Sequence, residues 1–71
     1  LEAGETAALI SAFLRAQPEL DRRLFVRRYF YLESVAALAA RFRLTQGQVK
    51  SRLHRTRGRL KQALEQEGVA V

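Results

Sequence analysis

Arg41, Arg43, Lys50, Arg52, Arg55, Arg57, Arg59 and Lys61 follow one another between Ser34 and Leu64, a stretch without a single Asp or Glu. The acidic residues are confined to Glu2, Glu5, Glu19, Asp21, Glu33, Glu65 and Glu67, and the whole chain of 71 residues carries a net charge of +6. A solvated helix normally interleaves the two signs, because pairs spaced i,i+4 attract and like charges repel. A segment of one sign accepts that repulsion, and the usual compensation is a polyanionic partner. Other chemistry finds little support. His54 is the only histidine and has no carboxylate or cysteine near it in sequence, so neither catalysis nor metal binding is expected. Gly47 and Gly58 lie in a helical pattern and follow no strand, so no phosphate loop is present. The chain reads as a binding module, with no enzyme activity and no cofactor.

Composition narrows the setting. The absence of cysteine removes disulfides and thiolate metal sites. The longest apolar runs are only a few residues, too short for a membrane span or a signal-peptide core. Leu1 is not a natural start, and with no methionine in the chain the expectation is a fragment of a longer protein.

The elements that must position the cations are helices; no alternating β-branched run and no hairpin turn pair occurs. The pattern predicts a single all-α domain over residues 1–71, with helices at about 5–16, 18–31, 35–42 and 46–67. Leu9, Ile10, Phe13 and Leu14 give the first an apolar stripe. Pro18 ends it and suits the first turn of the second, where Glu19 and Asp21 favour the positive end of the helix dipole. The second is expected to turn Leu24, Phe25, Tyr29 and Phe30 inward and Arg22, Arg23, Arg27 and Arg28 outward, with Tyr29, Phe30 and Tyr31 in the core and at its rim. Ser34 reads as the N-cap of the third, which buries Val35, Leu38, Ala39 and Phe42. Alanines 36, 37, 39 and 40 would let another helix approach closely. Thr45-Gln46-Gly47-Gln48 fits a capping box opening the fourth helix, which Gly68 closes with a left-handed cap.

The third helix, the joint Arg43-Leu44-Thr45 and the fourth helix together match a helix-turn-helix, with Leu44 directed into the core. At 100° per residue, Val49, Leu53, Thr56, Leu60 and Leu64 form the buried stripe of the fourth helix. Opposite lie Gly47, Ser51, His54 and Gly58, flanked by Gln48, Lys50 and Arg55. A face that is small, polar or cationic suits the major groove of a duplex. Lys50 and Arg55 can donate to the O6/N7 edge of guanine, Ser51 can donate or accept near the groove floor, and His54 can bond a base or pack on a thymine methyl. Arg52, Arg57 and Arg59 lie on the flanks, where phosphate walls would be met. First-turn N–H groups near Thr45 and Gln46, with Gln48 beside them, add an anion site.

The string Val49-Lys50-Ser51-Arg52-Leu53-His54-Arg55-Thr56-Arg57-Gly58-Arg59-Leu60 resembles the C-terminal signature of region 4 in bacterial sigma factors, especially the extracytoplasmic-function group. Arg23-Leu24-Phe25-Val26-Arg27-Arg28-Tyr29-Phe30 is similar to that family's second-helix motif, and Ser34 to Ala39 to the start of its first motif helix. The likeness runs from about Leu9 to Leu64. It implies a four-helix domain of a cytoplasmic RNA polymerase sigma subunit, monomeric, whose last helix reads the upstream promoter element (the −35 element). It also implies that the β flap of the polymerase core grips the domain and that an anti-sigma factor is a second partner. By position, Lys50, Ser51, His54 and Arg55 fall where that family contacts bases, and Arg52 and the residues around Thr45 near its phosphate contacts.

Four departures stand out. Arg43 occupies a position usually held by glycine; if φ is positive there the strain is roughly 1 kcal/mol, offset where its charge meets a phosphate. His54 replaces a residue that is often aromatic, Gln17 replaces an apolar one, and Ala36 and Ala37 replace an acidic pair. Two other readings remain: a stand-alone or response-regulator helix-turn-helix repressor, and a protein-interaction module docking on an acidic partner. The first needs a dimer interface, and no spare apolar face beyond the core stripes is evident. A membrane-surface helix is disfavoured, since the apolar stripe of the fourth helix lacks interfacial aromatics and is required by the core.

Overall fold

Polar side chains at two positions set where the second half of the chain becomes helical. Ser34 Oγ accepts from the Ala37 N–H at 3.0 Å and opens α3, Val35–Phe42. Thr45 Oγ1 accepts from the Gln48 N–H at 3.0 Å while Gln48 Oε1 accepts from the Thr45 N–H at 2.8 Å, a complete capping box at the head of α4, Gln46–Gln66. The computed structural model describes residues 3–69. Two helices precede these, α1 over Ala3–Arg15 and α2 over Glu19–Tyr29. Pro18 stands at the cap of α2 rather than inside its first turn, with extended ψ of 143°, and its carbonyl accepts from the Arg22 N–H. No described helix is long and apolar enough to cross a membrane.

The four helices form one all-α globule in which α4 packs on each of the other three. Leu24 from α2, Leu38 and Ala39 from α3, and Val49 and Leu53 from α4 make the central cluster, with Leu20, Val35, Phe42 and Leu44 packed around it. Leu24, Leu38 and Val49 expose no surface, and such burial stabilises by about 1.5–3 kcal/mol per side chain. Thr56 is equally buried because its hydroxyl donates to the Arg52 carbonyl at 2.9 Å, one turn back, leaving its methyl for the core. Arg23 covers the outer edge of the cluster, its guanidinium 5.3 Å from the Phe42 ring centre.

Several positions differ from the periodic reading. Phe30, expected inward, is 64% exposed, and Tyr31 and Leu32 are more so. The reason is angular: Phe30 follows Leu24 by six residues and Phe25 by five, which places it about 120–140° off the α2 stripe. Tyr29 lies at the border, its ring tilted on Phe25 at 4.7 Å. Of the four alanines in α3 only Ala39 is buried; Ala36, Ala37 and Ala40 face outward. A spare apolar surface does exist: Ala7, Ile10, Leu14, Val26, Phe30 and Tyr31 line an open trough of about 450 Å³ between α1 and α2.

Two helix ends use residues that resist the required geometry. Arg43 closes α3 at φ +54°, with the Leu44 N–H reaching back to the Ala39 carbonyl. Leu32, just after α2, has φ +59°, and the Glu33 N–H beyond it bonds the Arg27 carbonyl. Gly68 ends α4 at φ +80°, where glycine carries no such penalty. Leu32→Gly and Arg43→Gly should each raise stability by about 0.5–1 kcal/mol, because the left-handed strain removed exceeds the entropy glycine adds to the unfolded chain. Chemical denaturation measures this; a fall in midpoint for both variants would show that neither turn is strained.

Candidate nucleic-acid interface

Burial of Val49, Leu53, Thr56 and Leu64 fixes the rotation of α4 about its axis, with Leu60 half-buried at the edge of the same stripe. Gly47, Gln48, Lys50, Ser51, His54, Arg55 and Gly58 are all exposed as a result. Lys50, Ser51, His54 and Arg55 are therefore brought together on one ridge, unobstructed by α1, α2 or α3. Among the described residues neither Lys50 nor His54 has a hydrogen-bond or ion-pair partner. Arg55 donates only from Nε, to the Ser51 carbonyl at 3.4 Å, so its terminal nitrogens stay available.

The wheel sets the cations of α4, with Gln48, along two shoulders of this ridge. Lys50, Arg57 and Lys61 follow one side of the ridge; Gln48, Arg52, Arg55 and Arg59 follow the other. The second shoulder is partly neutralised. Arg52 donates to Asp21 Oδ1 at 3.0 Å, and Arg59 lies 3.7 Å from Asp21 Oδ2. Asp21 is itself buried, so this pair ties the start of α2 to the middle of α4. The position of Asp21 in the first turn of α2 points only to the helix dipole and does not reveal this pairing. Its spacing offered the missing signal: Asp21 precedes Phe25 by four residues, which puts a carboxylate on the buried stripe of α2, and a buried carboxylate calls for a cationic partner.

Glu33 is withdrawn in the same manner. Arg41 bonds its Oε1 at 2.7 Å and Arg27 lies 3.5 Å from the same oxygen, while Arg28 donates to the Glu33 carbonyl. Thr45 and Gln48 have side chains engaged in the capping box, so at that helix end the first-turn N–H groups of Gln46 and Gly47 are the donors left for an external anion. Arg43, held at its left-handed turn, is exposed beside them. The first three turns of α4 thus present donors and small side chains, with no carboxylate, along a cylinder the width of which matches a major groove.

The two glycines on this ridge lack an internal reason. A methyl group at Gly58 would meet nothing within 4 Å, and at Gly47 only Thr45 Oγ1 at 3.9 Å. Neither turns at positive φ, yet each weakens the helix relative to alanine. No contact within the described residues requires either to be small. Comparison with protein-family models and with curated proteins finds no match to this chain.

Gly58→Ala should stabilise the domain by roughly 0.5–1 kcal/mol. Asp21→Asn should instead destabilise it by about 1 kcal/mol, since a buried carboxylate is lost from two guanidinium groups that are themselves partly exposed and screened by solvent. Thermal melts of the two variants beside the parent check both signs; an Asp21→Asn protein as stable as the parent would remove the proposed clamp.

Proposed function

We propose that this chain binds duplex DNA through α4 and recognises promoter sequence as the C-terminal domain of an RNA polymerase sigma subunit. The observation that carries the reading is the exposed, acid-free ridge of Lys50, Ser51, His54 and Arg55, held outward by the buried stripe on the opposite side of the same helix. In this reading α4 enters the major groove and those four side chains meet base edges. Arg57, Arg43 and the N–H groups of Gln46 and Gly47 meet phosphates. Gln48 stands at the same helix end. Arg52 and Arg59 contribute less than their charge suggests, because Asp21 already offsets it.

The trough between α1 and α2 gives the same reading a place for a protein partner. Its apolar lining and the exposed Phe30-Tyr31-Leu32 run suit the β flap of the polymerase core, and an anti-sigma factor would compete for that surface or for the ridge. The same exposed aromatic run favours a second reading, a dimeric helix-turn-helix repressor, since it supplies the apolar face that a dimer needs. A stable dimer in micromolar sedimentation would support the repressor; a monomer supports the sigma subunit.

Selection of tight-binding sequences from a random duplex pool tests the reading directly. Lys50→Ala and Arg55→Ala should each weaken binding to the selected site by about 1–3 kcal/mol and flatten the preference among sequences. Arg57→Ala should weaken every duplex alike and lower the salt slope by about 0.9 unit. Identical behaviour of the two classes would refute this division of roles.

A further inference from the structure

Asp21 is the one acid that reaches the basic face of α4, and its place in the core does not let it withdraw. It lies in the first turn of α2, three residues before Leu24 and four before Phe25, both buried. Its own exposure is only 7%. Arg52 and Arg59 stand two turns apart on one shoulder of α4 and divide its carboxylate between them. Arg52 donates to Oδ1 at 3.0 Å, and Arg59 lies 3.7 Å from Oδ2. Their side chains are 35% and 50% exposed, so an external anion can still reach both. A carboxylate offers a guanidinium much the same acceptor geometry as a phosphate. Stability alone does not require an acid here, because replacing a buried ion pair with apolar side chains is often neutral or better. Arg55, between the two on the same shoulder, makes no ion pair among the described residues.

We propose that Asp21 is an internal competitor of DNA, a brake that holds Arg52 and Arg59 back and keeps the chain from gripping arbitrary duplex. The inference rests on the duplex-binding reading and concerns the regulation of that same surface. A strand running along this shoulder must draw each arginine off a carboxylate that cannot follow it, so part of every such contact is cancelled. Binding without sequence preference is almost wholly electrostatic, and the brake acts on that part. The base-facing donors of Lys50, Ser51, His54 and Arg55 touch no acid and keep their full strength. Stable binding then depends on the ridge finding its bases, while the sequence-blind grip stays weak. Asp21 thus governs selectivity in practice without contacting a base.

The test titrates the 71-residue chain with a short random-sequence duplex over a range of salt concentrations. Asp21→Asn should tighten binding and steepen the slope of log affinity against log salt by about 0.9–1.8 units, the equivalent of one or two phosphates. Glu19→Gln removes the same charge from the same turn of α2, where it faces only Arg23 at 3.9 Å, and should change the slope far less. Arg52→Gln should cost about 0.9 unit of slope in the Asp21→Asn background and clearly less in the parent. Melting curves confirm that each variant is folded at the temperature of titration. Should Asp21→Asn unfold, a smaller loss for Arg52→Gln than for Arg57→Gln in the parent supports the brake, and equal losses overturn it. A folded Asp21→Asn that binds no more tightly than Glu19→Gln would also overturn it and leave the groove reading intact. Failure of the parent chain to bind any duplex would overturn both.

Discussion

Burial of one stripe of α4 against α2 and α3 is the constraint on which the rest of the molecule depends. Val49 and Leu53 lose nearly all their surface in a cluster with Leu24, Leu38 and Ala39, Thr56 is equally buried on the same stripe, and a rotation of α4 by a single residue would expose them. Such a rotation would forfeit several kcal/mol of apolar burial. The direction of the opposite face is therefore set by the core and not by the polar residues themselves. A short, capped joint at Arg43-Leu44-Thr45 fixes where α4 begins, so both its phase and its start are determined.

Charge is arranged on top of that frame. A basic helix would gain stability from interleaved acids, but α4 has none before Glu65, and the carboxylates that precede it in the fold are drawn into clamps: Asp21 on Arg52 and Arg59, and Glu33 on Arg27 and Arg41. Each clamp joins different helices, so the acids contribute to tertiary structure while leaving the ridge free of negative charge. Gly47 and Gly58 weaken α4 and have no steric role within the chain. The ridge thus stays exposed and without a carboxylate at some cost to the stability of the isolated domain.

Much of this was legible in the sequence because it depends on local spacing. Ser34, Thr45, Gln48 and Gly68 act within one helical turn, and each occupies the cap it was expected to form. The 3.6-residue period of α4 separates its core from its ridge, and Arg43, at a position where the resemblance puts glycine, does take positive φ. What was not legible depends on distant partners or on a helix end. Hydrophobicity alone turns Phe30 inward, but its phase relative to Leu24 and Phe25 turns it out. Leu32 at positive φ has no composition signal, since nothing in leucine favours that conformation. The bond from Arg57 to Tyr29 spans two helices and could be found only once they were packed together.

The central claim is that the outward side of α4 is the surface that receives DNA. Amide and side-chain resonances of the 15N-labelled chain, followed during titration with a selected duplex, address it residue by residue. The account predicts that the largest shifts fall on Lys50, Ser51, His54 and Arg55, with the trough residues Ile10, Leu14 and Val26 unmoved. Shifts centred on that trough, or none on α4 at saturation, would contradict it.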